Sequence, residues 1–289
     1  MLEGAVMDDL EQIRIGNPDG EAVLLLQGAQ LLTWQPEGEA PVIWLSDRAR
    51  YVKGKSVRGG IPICWPWFGP HASEPSYPAH GIARNLDWEL VESHESGAKL
   101  RLIPQSPFWP HTSMVECRFT VGKALEVELV THNTGSEPFE LGCALHTYFS
   151  VSDATDVEVL GLDNTSYIDK VEGGRKIQDG PVRISGEVDR VYVGTDSDCI
   201  LVDPGLNRKI RIEKQGSRST VVWNPGAEKA EKFGDMGSHL GMLCIETCNA
   251  ADDVVTVQPG QSHRLWARYS VEKLGKNALR SPPKGLYVL

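Results

Sequence analysis

Apolar and polar side chains alternate residue by residue over most of this chain, and this alternation constrains the fold more than any other feature. In AKLRLI, Ala98, Leu100 and Leu102 lie on one side and Lys99 and Arg101 on the other. The same alternation recurs in LEVELVT (125–131), RKIRIE (208–213) and HRLWARYSV (263–271). A period of two is typical of antiparallel β-strands with one face in water.

Three apolar runs are suited to central strands: AVLLL (22–26), CILVD (199–203) and STVVW (219–223). Turn sequences such as NPDG, DPGLN and QPGQ separate the runs. Helical periodicity is nearly absent, with one short helix predicted over residues 227–236 and a briefer one near 7–12. These patterns predict an all-β fold, an antiparallel sandwich or barrel with few short helices.

The chain is long enough for one large β domain or two ordinary ones. It has 289 residues, 40% of them hydrophobic, and neither an internal repeat nor a linker divides it. We therefore predict a single domain over residues 1–289. The alternation stops near the end, so residues 273–289 are expected to form a loose tail.

The formal net charge is −10. An acidic surface argues against nucleic acid and membrane as partners, and it requires that an anionic substrate meet a locally positive pocket. No segment approaches the roughly 20 apolar residues needed to span a bilayer, and the acidic N-terminal segment does not resemble a signal peptide. We expect a cytoplasmic monomer whose partner is a small molecule.

The six cysteines lie mostly in apolar, strand-like contexts, which predicts buried free thiols in a reducing compartment. Cys244 and Cys248 lack the paired spacing of a zinc site, and there is no second pair. No phosphate-binding glycine loop, HExxH or GxSxG motif occurs. The sequence therefore predicts no metal site.

The segment from Val57 to Arg84 combines the features of a pocket wall. It reads VRGGIPICWPWFGPH, then a polar loop, then PAHGIAR, so Arg58 and Arg84 bracket a stretch rich in Trp, Pro and Gly. Gly and Pro fix unusual backbone angles, and guanidinium forks suit oxyanions such as phosphate. This mixture predicts a pocket for a phosphorylated sugar. We assign His80, on a loop supported by Gly81, to that pocket rather than to the surface.

Two further residues have both a structural and a chemical interpretation. His146 interrupts the apolar run ELGCALHTYFSV, either as a core histidine bonded to a backbone carbonyl or as a general acid. Glu246 follows the apolar triplet LCI, where it either points outward at a strand end or is held in a site that tunes it as a base. Sequence alone leaves both alternatives open.

Two other positions have ordinary interpretations. Asp189, in GEVDRVY, is expected from its neighbours to be a strand-end carboxylate paired with Arg190. Trp223 and Asn224, in VVWNPG, suit a sugar-binding shelf and a plain strand-to-turn junction equally well.

Taken in order, six blocks between about residues 28 and 271 resemble the aldose 1-epimerase, or galactose mutarotase-like, superfamily. They are RGGIPICWPWFGPH, PAHGIAR, ALHTYFSVSD, VDRVY, VVWNPG and ETCNAADDVVTVQPGQSHRLWARYSV. The RGG…CWPWFGP…HGIAR block points to the branch that acts on hexose 6-phosphates rather than on free aldoses. The resemblance implies an antiparallel β-supersandwich.

It also implies an isomerase that interconverts the α and β anomers of hexose 6-phosphates, glucose 6-phosphate first among them. In this resemblance His146 matches the general acid and Glu246 the general base. Such chemistry needs no metal and no cofactor, because one acid and one base share the charge that develops.

The resemblance also assigns four residues to substrate binding. His80 matches a second histidine that holds the sugar and polarises its ring oxygen, and Asp189 matches an aspartate that bonds sugar hydroxyls. Arg58 and Arg84 match arginines that bind substrate and, in this branch, help to hold the phosphate.

Two positions depart from the family pattern. Ala79 stands where many members have glutamine, and Gly226 stands where the family often has an aromatic residue after WNP. Preference among hexose 6-phosphates is therefore left open. Two alternatives also remain, a free-aldose mutarotase whose arginines serve structure and a non-catalytic carbohydrate-binding β-sandwich. The second would need neither His146 nor Glu246.

Overall fold

Two large antiparallel sheets dominate the computed structural model, which describes residues 10–275. The strands in chain order are β1 (Gln12–Asn17), β2 (Gly20–Leu25), β3 (Gln30–Pro36), β4 (Ile63–Cys64), β5 (Glu89–His94), β6 (Gly97–Leu102), β7 (Ser113–Val121), β8 (Ala124–Asn133), β9 (Phe139–Leu141), β10 (Cys143–Leu145), β11 (Tyr148–Ser150), β12 (Glu158–Leu160), β13 (Ser166–Asp169), β14 (Arg175–Ile177), β15 (Val182–Arg183), β16 (Val188–Val193), β17 (Cys199–Asp203), β18 (Arg208–Gln215), β19 (Ser219–Asn224), β20 (Met242–Asn249), β21 (Val255–Val257) and β22 (Ser262–Lys273). Helix α1 spans Gly226–Phe233, and 3-10 turns lie at Ala83–Asn85, His239–Gly241 and Ala251–Asp253.

The larger sheet has nine strands in the order β15-β12-β17-β18-β22-β8-β7-β6-β5. The second has eight, in the order β14-β13-β16-β19-β20-β10-β4, with β11 also paired to β20. Neighbouring strands in both sheets run antiparallel. Two small sheets, β1-β2-β3 and β21-β9, complete the described part. The predicted all-β antiparallel fold is confirmed.

The apolar faces of the two large sheets share one core. On β8 every second residue is buried, including Leu129, as the alternation predicts. Leu129 belongs to the same hydrophobic cluster as Leu243 and Ile245 of β20 in the other sheet. Burying a side chain of this size contributes roughly 1.5–3 kcal/mol, so the alternation itself drives the two sheets together.

Strand β20 is buried on both faces. All eight of its residues are buried, although Leu243 and Ile245 face the shared core while Cys244 and Cys248 belong to a second hydrophobic cluster. Since side chains alternate along a strand, Glu246 lies on the same face as the two cysteines. We call this second face, turned away from the shared core, the outer face of the eight-stranded sheet.

The structure confirms one predicted helix and corrects the other. Helix α1 matches the prediction over 227–236 but ends at Phe233, because Gly234 adopts the left-handed conformation (φ +68°) that terminates helices. The helix predicted near 7–12 is wrong where the structure describes it. Leu10 and Glu11 have no regular structure, and Gln12 begins β1 because it pairs with β2.

Further predictions concern the cysteines, the C-terminal tail, membrane-spanning helices and the number of domains. All six cysteines are buried free thiols, as predicted. Of the predicted loose tail 273–289, Lys273 still belongs to β22, and residues 276–289 lie outside the described part of the chain. No helix within residues 10–275 has the length and apolarity needed to cross a bilayer. The single domain stays a prediction.

Replacing Gly81 with alanine is expected to destabilise the fold strongly. Gly81 has a φ of +74°, and a Cβ there would lie 2.0 Å from the carbonyl oxygen of Trp65, so backbone strain and a clash act together. We expect the free energy of unfolding to fall by about 2–4 kcal/mol.

The matched control is Gly38→Ala, where φ is +73° and no atom lies within 4 Å of the added Cβ. Gly38→Ala introduces backbone strain without a clash, and it should lower the free energy of unfolding by about 1 kcal/mol. Urea denaturation followed by tryptophan fluorescence measures both losses. Equal losses would contradict the role given to the clash.

Candidate active site

A cavity of about 700 Å³ opens on the outer face of the eight-stranded sheet. Strands β16, β19 and β20, helix α1 and the loops around β4 and β11 contribute its walls. All six residues that the sequence singled out line it, namely Arg58, His80, Arg84, His146, Asp189 and Glu246. The structure therefore brings together every predicted site residue, although their roles stay predictions.

Strand pairing places His146 opposite Glu246. Strand β10 pairs with Thr247–Asn249 of β20 and β11 pairs with Met242–Cys244 in the same register, so the two residues between β10 and β11 lie across from Ile245 and Glu246. The main-chain N–H of His146 donates to the carbonyl of Pro62 at 3.0 Å, on the side of β4. This cross-strand position brings the imidazole next to the carboxyl group of Glu246.

His146 and Glu246 form a buried pair. Imidazole Nε2 lies 3.5 Å from Glu246 Oε1, and the two side chains are 12% and 1% exposed. Glu246 Oε2 is buried and finds no hydrogen-bond partner among the described residues. The imidazole stacks on Tyr148, with ring centroids 5.0 Å apart. One carboxylate oxygen thus contacts the imidazole, and the other has no polar contact among the described residues.

Burial shifts both members of the pair toward their neutral forms. Burial lowers the pKa of His146 well below its ordinary value, and the neighbouring His80 and Arg84 add to the shift. Burial raises the pKa of Glu246 well above its ordinary value, and Asp189 adds to that shift. The two groups therefore titrate as a unit that holds one proton between its two steps.

His80 presents a neutral imidazole to the cavity. Its ring lies edge-on to His146 with centroids 5.6 Å apart, and its Nδ1 accepts the Gly69 N–H at 3.4 Å. Burial, reinforced by Arg84, lowers the pKa of His80 to about 4. Since Nδ1 accepts, Nε2 carries the proton and can donate to a sugar oxygen.

The two arginines differ in how firmly they are held. The Arg58 guanidinium packs over the Phe233 ring at 4.5 Å, and its Nε donates to Asp235 Oδ1 at 3.1 Å. Arg84 donates through Nη2 to the carbonyl of Ala79 at 2.8 Å, while its Nε is buried without a partner in the described structure. No carboxylate of residues 10–275 forms an ion pair with Arg84, which lines the cavity.

Three lysines of the site were not predicted from the sequence. Lys55, Lys170 and Lys229 line the cavity with the two arginines, which makes five cations against two acids, Asp189 and Glu246. Lysines in polar turns and on a surface helix carry no signal that separates them from solvated ones. Arg58 and Lys229 are paired with Asp235 and Glu187. The other three cations form no ion pair within residues 10–275, and they make the cavity locally positive in a protein of net charge −10.

The expectation that Asp189 pairs with Arg190 is wrong. Both residues lie within β16, and neighbouring side chains on a strand point to opposite faces. Arg190 donates to Gln178 Oε1 at 3.2 Å, whereas Asp189 lines the cavity. Burial raises the pKa of Asp189, and Lys229 and Lys170 oppose that rise.

Trp223 and Asn224 have different roles. Trp223 lines the cavity and can serve as a shelf, while the buried amide of Asn224 donates to two main-chain carbonyls at 2.8 and 2.9 Å. Asn224 Oδ1 accepts the N–H of Gly226 at 2.9 Å. A Cβ on Gly226 would lie 2.9 Å from the main-chain nitrogen of Glu187, which explains why no aromatic residue occupies this position.

One group of residues within 10–275 brings three metal-ligating side chains together. His146, Cys244 and Glu246 each offer a donor atom within 4.8 Å of the others. Cys244 is fully buried and does not line the cavity, so a cation entering from solvent would meet only the imidazole and the carboxyl group. The predicted absence of a metal stays a prediction.

Replacing Arg84 with glutamine is expected to raise the pKa of His80 above its wild-type value of about 4. Loss of the guanidinium removes one of the two causes of the depression and leaves burial. An NMR titration of the His80 ring protons measures the midpoint. Arg101→Gln removes an exposed guanidinium paired with Glu89 and should leave the midpoint unchanged. An unchanged midpoint in Arg84→Gln would refute the coupling.

Comparison with known proteins matches residues 11–270 to a family model described as aldose 1-epimerase. A relative from Escherichia coli K12, named "Putative glucose-6-phosphate 1-epimerase", is 38% identical over 274 residues and 91% of each chain. A crystal structure titled "putative mutarotase" from Salmonella typhimurium aligns with a TM-score of 0.84 at 37% identity over 92% of each chain. A galactose mutarotase-like protein from Lactobacillus casei, 14% identical over 91% of this chain and 100% of its own, shares the fold with a TM-score of 0.71. The resemblance found in the sequence is confirmed, and the chain belongs to the aldose 1-epimerase family.

Proposed function

We propose that this protein interconverts the α and β anomers of hexose 6-phosphates, with glucose 6-phosphate as its first substrate. The observation that carries the proposal is the buried His146–Glu246 pair at the wall of a cation-rich cavity. The family supplies the reaction class. Relatives from Escherichia coli and Salmonella typhimurium whose names include glucose 6-phosphate support the choice of a phosphosugar.

The pair performs ring opening by general acid–base catalysis. The pair reacts in the arrangement that carries its one proton on His146. Glu246 as carboxylate takes the proton of the anomeric hydroxyl, and His146 as imidazolium gives its Nε2 proton to the ring oxygen as the C1–O5 bond breaks. The open aldehyde rotates about C1–C2 and recloses from the other face with the roles reversed. Each such transfer contributes roughly 10²–10⁴-fold. After ring closure, Glu246 and His146 have regained their starting protonation states, so the reaction needs no cofactor.

The remaining residues of the cavity hold the sugar. Arg84, whose Nε lacks a partner, binds the phosphate, and Arg58 presents a guanidinium that Asp235 and Phe233 keep in place. A fixed fork loses little freedom when it binds an oxyanion. His80 Nε2 donates a hydrogen bond to the ring oxygen of the sugar, and Asp189 accepts hydrogen bonds from sugar hydroxyls.

An anomerisation assay tests the proposal directly. Freshly dissolved α-glucose 6-phosphate is coupled to a β-specific dehydrogenase, and the spontaneous rate is subtracted. Glu246→Gln should lower kcat by about 10²–10⁴-fold with little change in KM, because it removes the base. Arg84→Ala should mainly raise KM, because the phosphate lies away from C1.

Arg101→Ala removes an exposed arginine outside the cavity and should behave as wild type. Unaltered activity of Arg84→Ala at low substrate concentration would refute the phosphate role. Higher activity on glucose or galactose than on their 6-phosphates would favour the free-aldose alternative. No acceleration of any sugar would favour a carbohydrate-binding protein without catalysis.

The pH profile of kcat/KM is expected to be bell-shaped, because the reactive pair holds one proton. A second proton is added to His146 at low pH, and its depressed pKa places this limb below the ordinary imidazole value of 6.5. The remaining proton is lost at high pH, and the raised pKa of Glu246 places that limb above the ordinary carboxyl value of 4.5. Initial rates across the pH range measure both limbs, and a flat profile would contradict the assignment.

A further inference from the structure

The second nitrogen of the His146 ring faces a thiol. Nδ1 lies 3.8 Å from Cys244 Sγ, which is within the longer reach of hydrogen bonds to sulfur. Cys244 is fully buried on β20, two residues before Glu246 and on the same face. A single strand therefore supplies a polar partner to each nitrogen of the imidazole, the carboxyl group to Nε2 and the sulfur to Nδ1.

The thiol stays neutral in this setting. Burial raises the pKa of Cys244 well above its ordinary value, and the nearby Glu246 adds to the rise. A neutral thiol is a weak donor and a weak acceptor. It can therefore contact Nδ1 without placing a second negative charge beside the carboxyl group.

The protons on the His146 ring during the reaction indicate whether the sulfur of Cys244 accepts a hydrogen bond or donates one. When imidazolium gives its Nε2 proton to the ring oxygen, the neutral ring of His146 keeps its other proton on Nδ1. The reverse step returns a proton to Nε2 and again leaves Nδ1 protonated. A partner that accepts from Nδ1 therefore fits both states of the ring, and Nε2 alone takes part in the exchange.

We propose that Cys244 is a positioning residue whose sulfur accepts the Nδ1–H of His146, which leaves Nε2 as the nitrogen that exchanges its proton with Glu246 and the sugar. The catalytic consequence rests on the proposed function, whereas the hydrogen bond does not. A neutral sulfur stabilises imidazolium far less than a carboxylate in the same place would. His146 therefore remains a ready proton donor.

Other groups around the ring hold it without offering Nδ1 an acceptor side chain. Tyr148 stacks on it, and His80 and Trp223 approach edge-on at 5.6 and 5.9 Å. The main-chain carbonyl of His146 itself also favours a protonated ring. That carbonyl is the competing acceptor, and the experiment must separate it from Cys244.

Cys244→Ala is the decisive variant, and Cys248→Ala is its matched control. Cys248 is equally buried on the same strand and face, but its sulfur contacts Ser219 Oγ at 3.3 Å rather than a histidine. The ¹⁵N shifts of labelled histidine report the tautomer of the neutral His146 ring. We expect Nδ1–H in wild type and in Cys248→Ala, and a mixture of tautomers in Cys244→Ala.

The anomerisation assay gives the second readout. Cys244→Ala should lower kcat about three- to tenfold, the size expected for one neutral hydrogen bond, with KM unchanged. Cys248→Ala should keep the wild-type kcat, which a merely structural role for both cysteines would not predict. Cys244→Ser supplies a hydroxyl acceptor and should recover part of the kcat and of the Nδ1–H tautomer.

Two results would overturn the proposal. One is a wild-type spectrum with the proton of the neutral ring on Nε2, which needs no variant and stands even if Cys244→Ala fails to fold. The other is a wild-type tautomer in Cys244→Ala, which would assign Nδ1 to the main-chain carbonyl. A wild-type protein that shows Nδ1–H but accelerates the anomerisation of no sugar would refute the proposed function and would still support the hydrogen bond.

Discussion

Burial of an imidazole beside a carboxyl group is the interaction on which the rest of this site depends. Removing either group from water disfavours its charged form, so the pKa of His146 falls and that of Glu246 rises. A lone ionised carboxylate at 1% exposure would be costly. Placed 3.5 Å apart, the two groups hold one proton between them, and the proposed mechanism uses the pair to pass that proton through the substrate in either direction.

The fold creates that pair by using the two faces of one strand for different purposes. On β20, Ile245 packs into the core between the sheets, and Glu246 faces the cavity. Strands β10 and β11 pair with β20 in one register, so His146 keeps the alternation of Ala144 and Tyr148 and faces Glu246 across the strands. Stability and chemistry thus share one strand without competing for the same face.

Electrostatics gives the cavity its character. The protein is acidic as a whole, yet five cationic side chains and two acids line this cavity. Charges act more strongly where water is partly excluded, so an anion would meet a favourable local field despite the overall charge. The cations are not equivalent. Asp235 and Phe233 hold Arg58, whereas the buried Nε of Arg84 has no partner among the described residues. In the proposed function, the phosphate supplies the contact that Arg84 lacks.

The sequence by itself determined the antiparallel strands, the existence of the helix predicted over 227–236 and the buried cysteines, because these follow from local periodicity and side-chain hydrophobicity. It also identified six residues of the cavity through ordered blocks that resemble a family, but not the three lysines. Tertiary structure alone decided that Glu246 is buried rather than at an exposed strand end, that Asp189 turns away from Arg190, and that a thiol 98 positions from His146 reaches its Nδ1. These facts depend on strand pairing between distant segments, and pairing partners leave no mark on the local pattern.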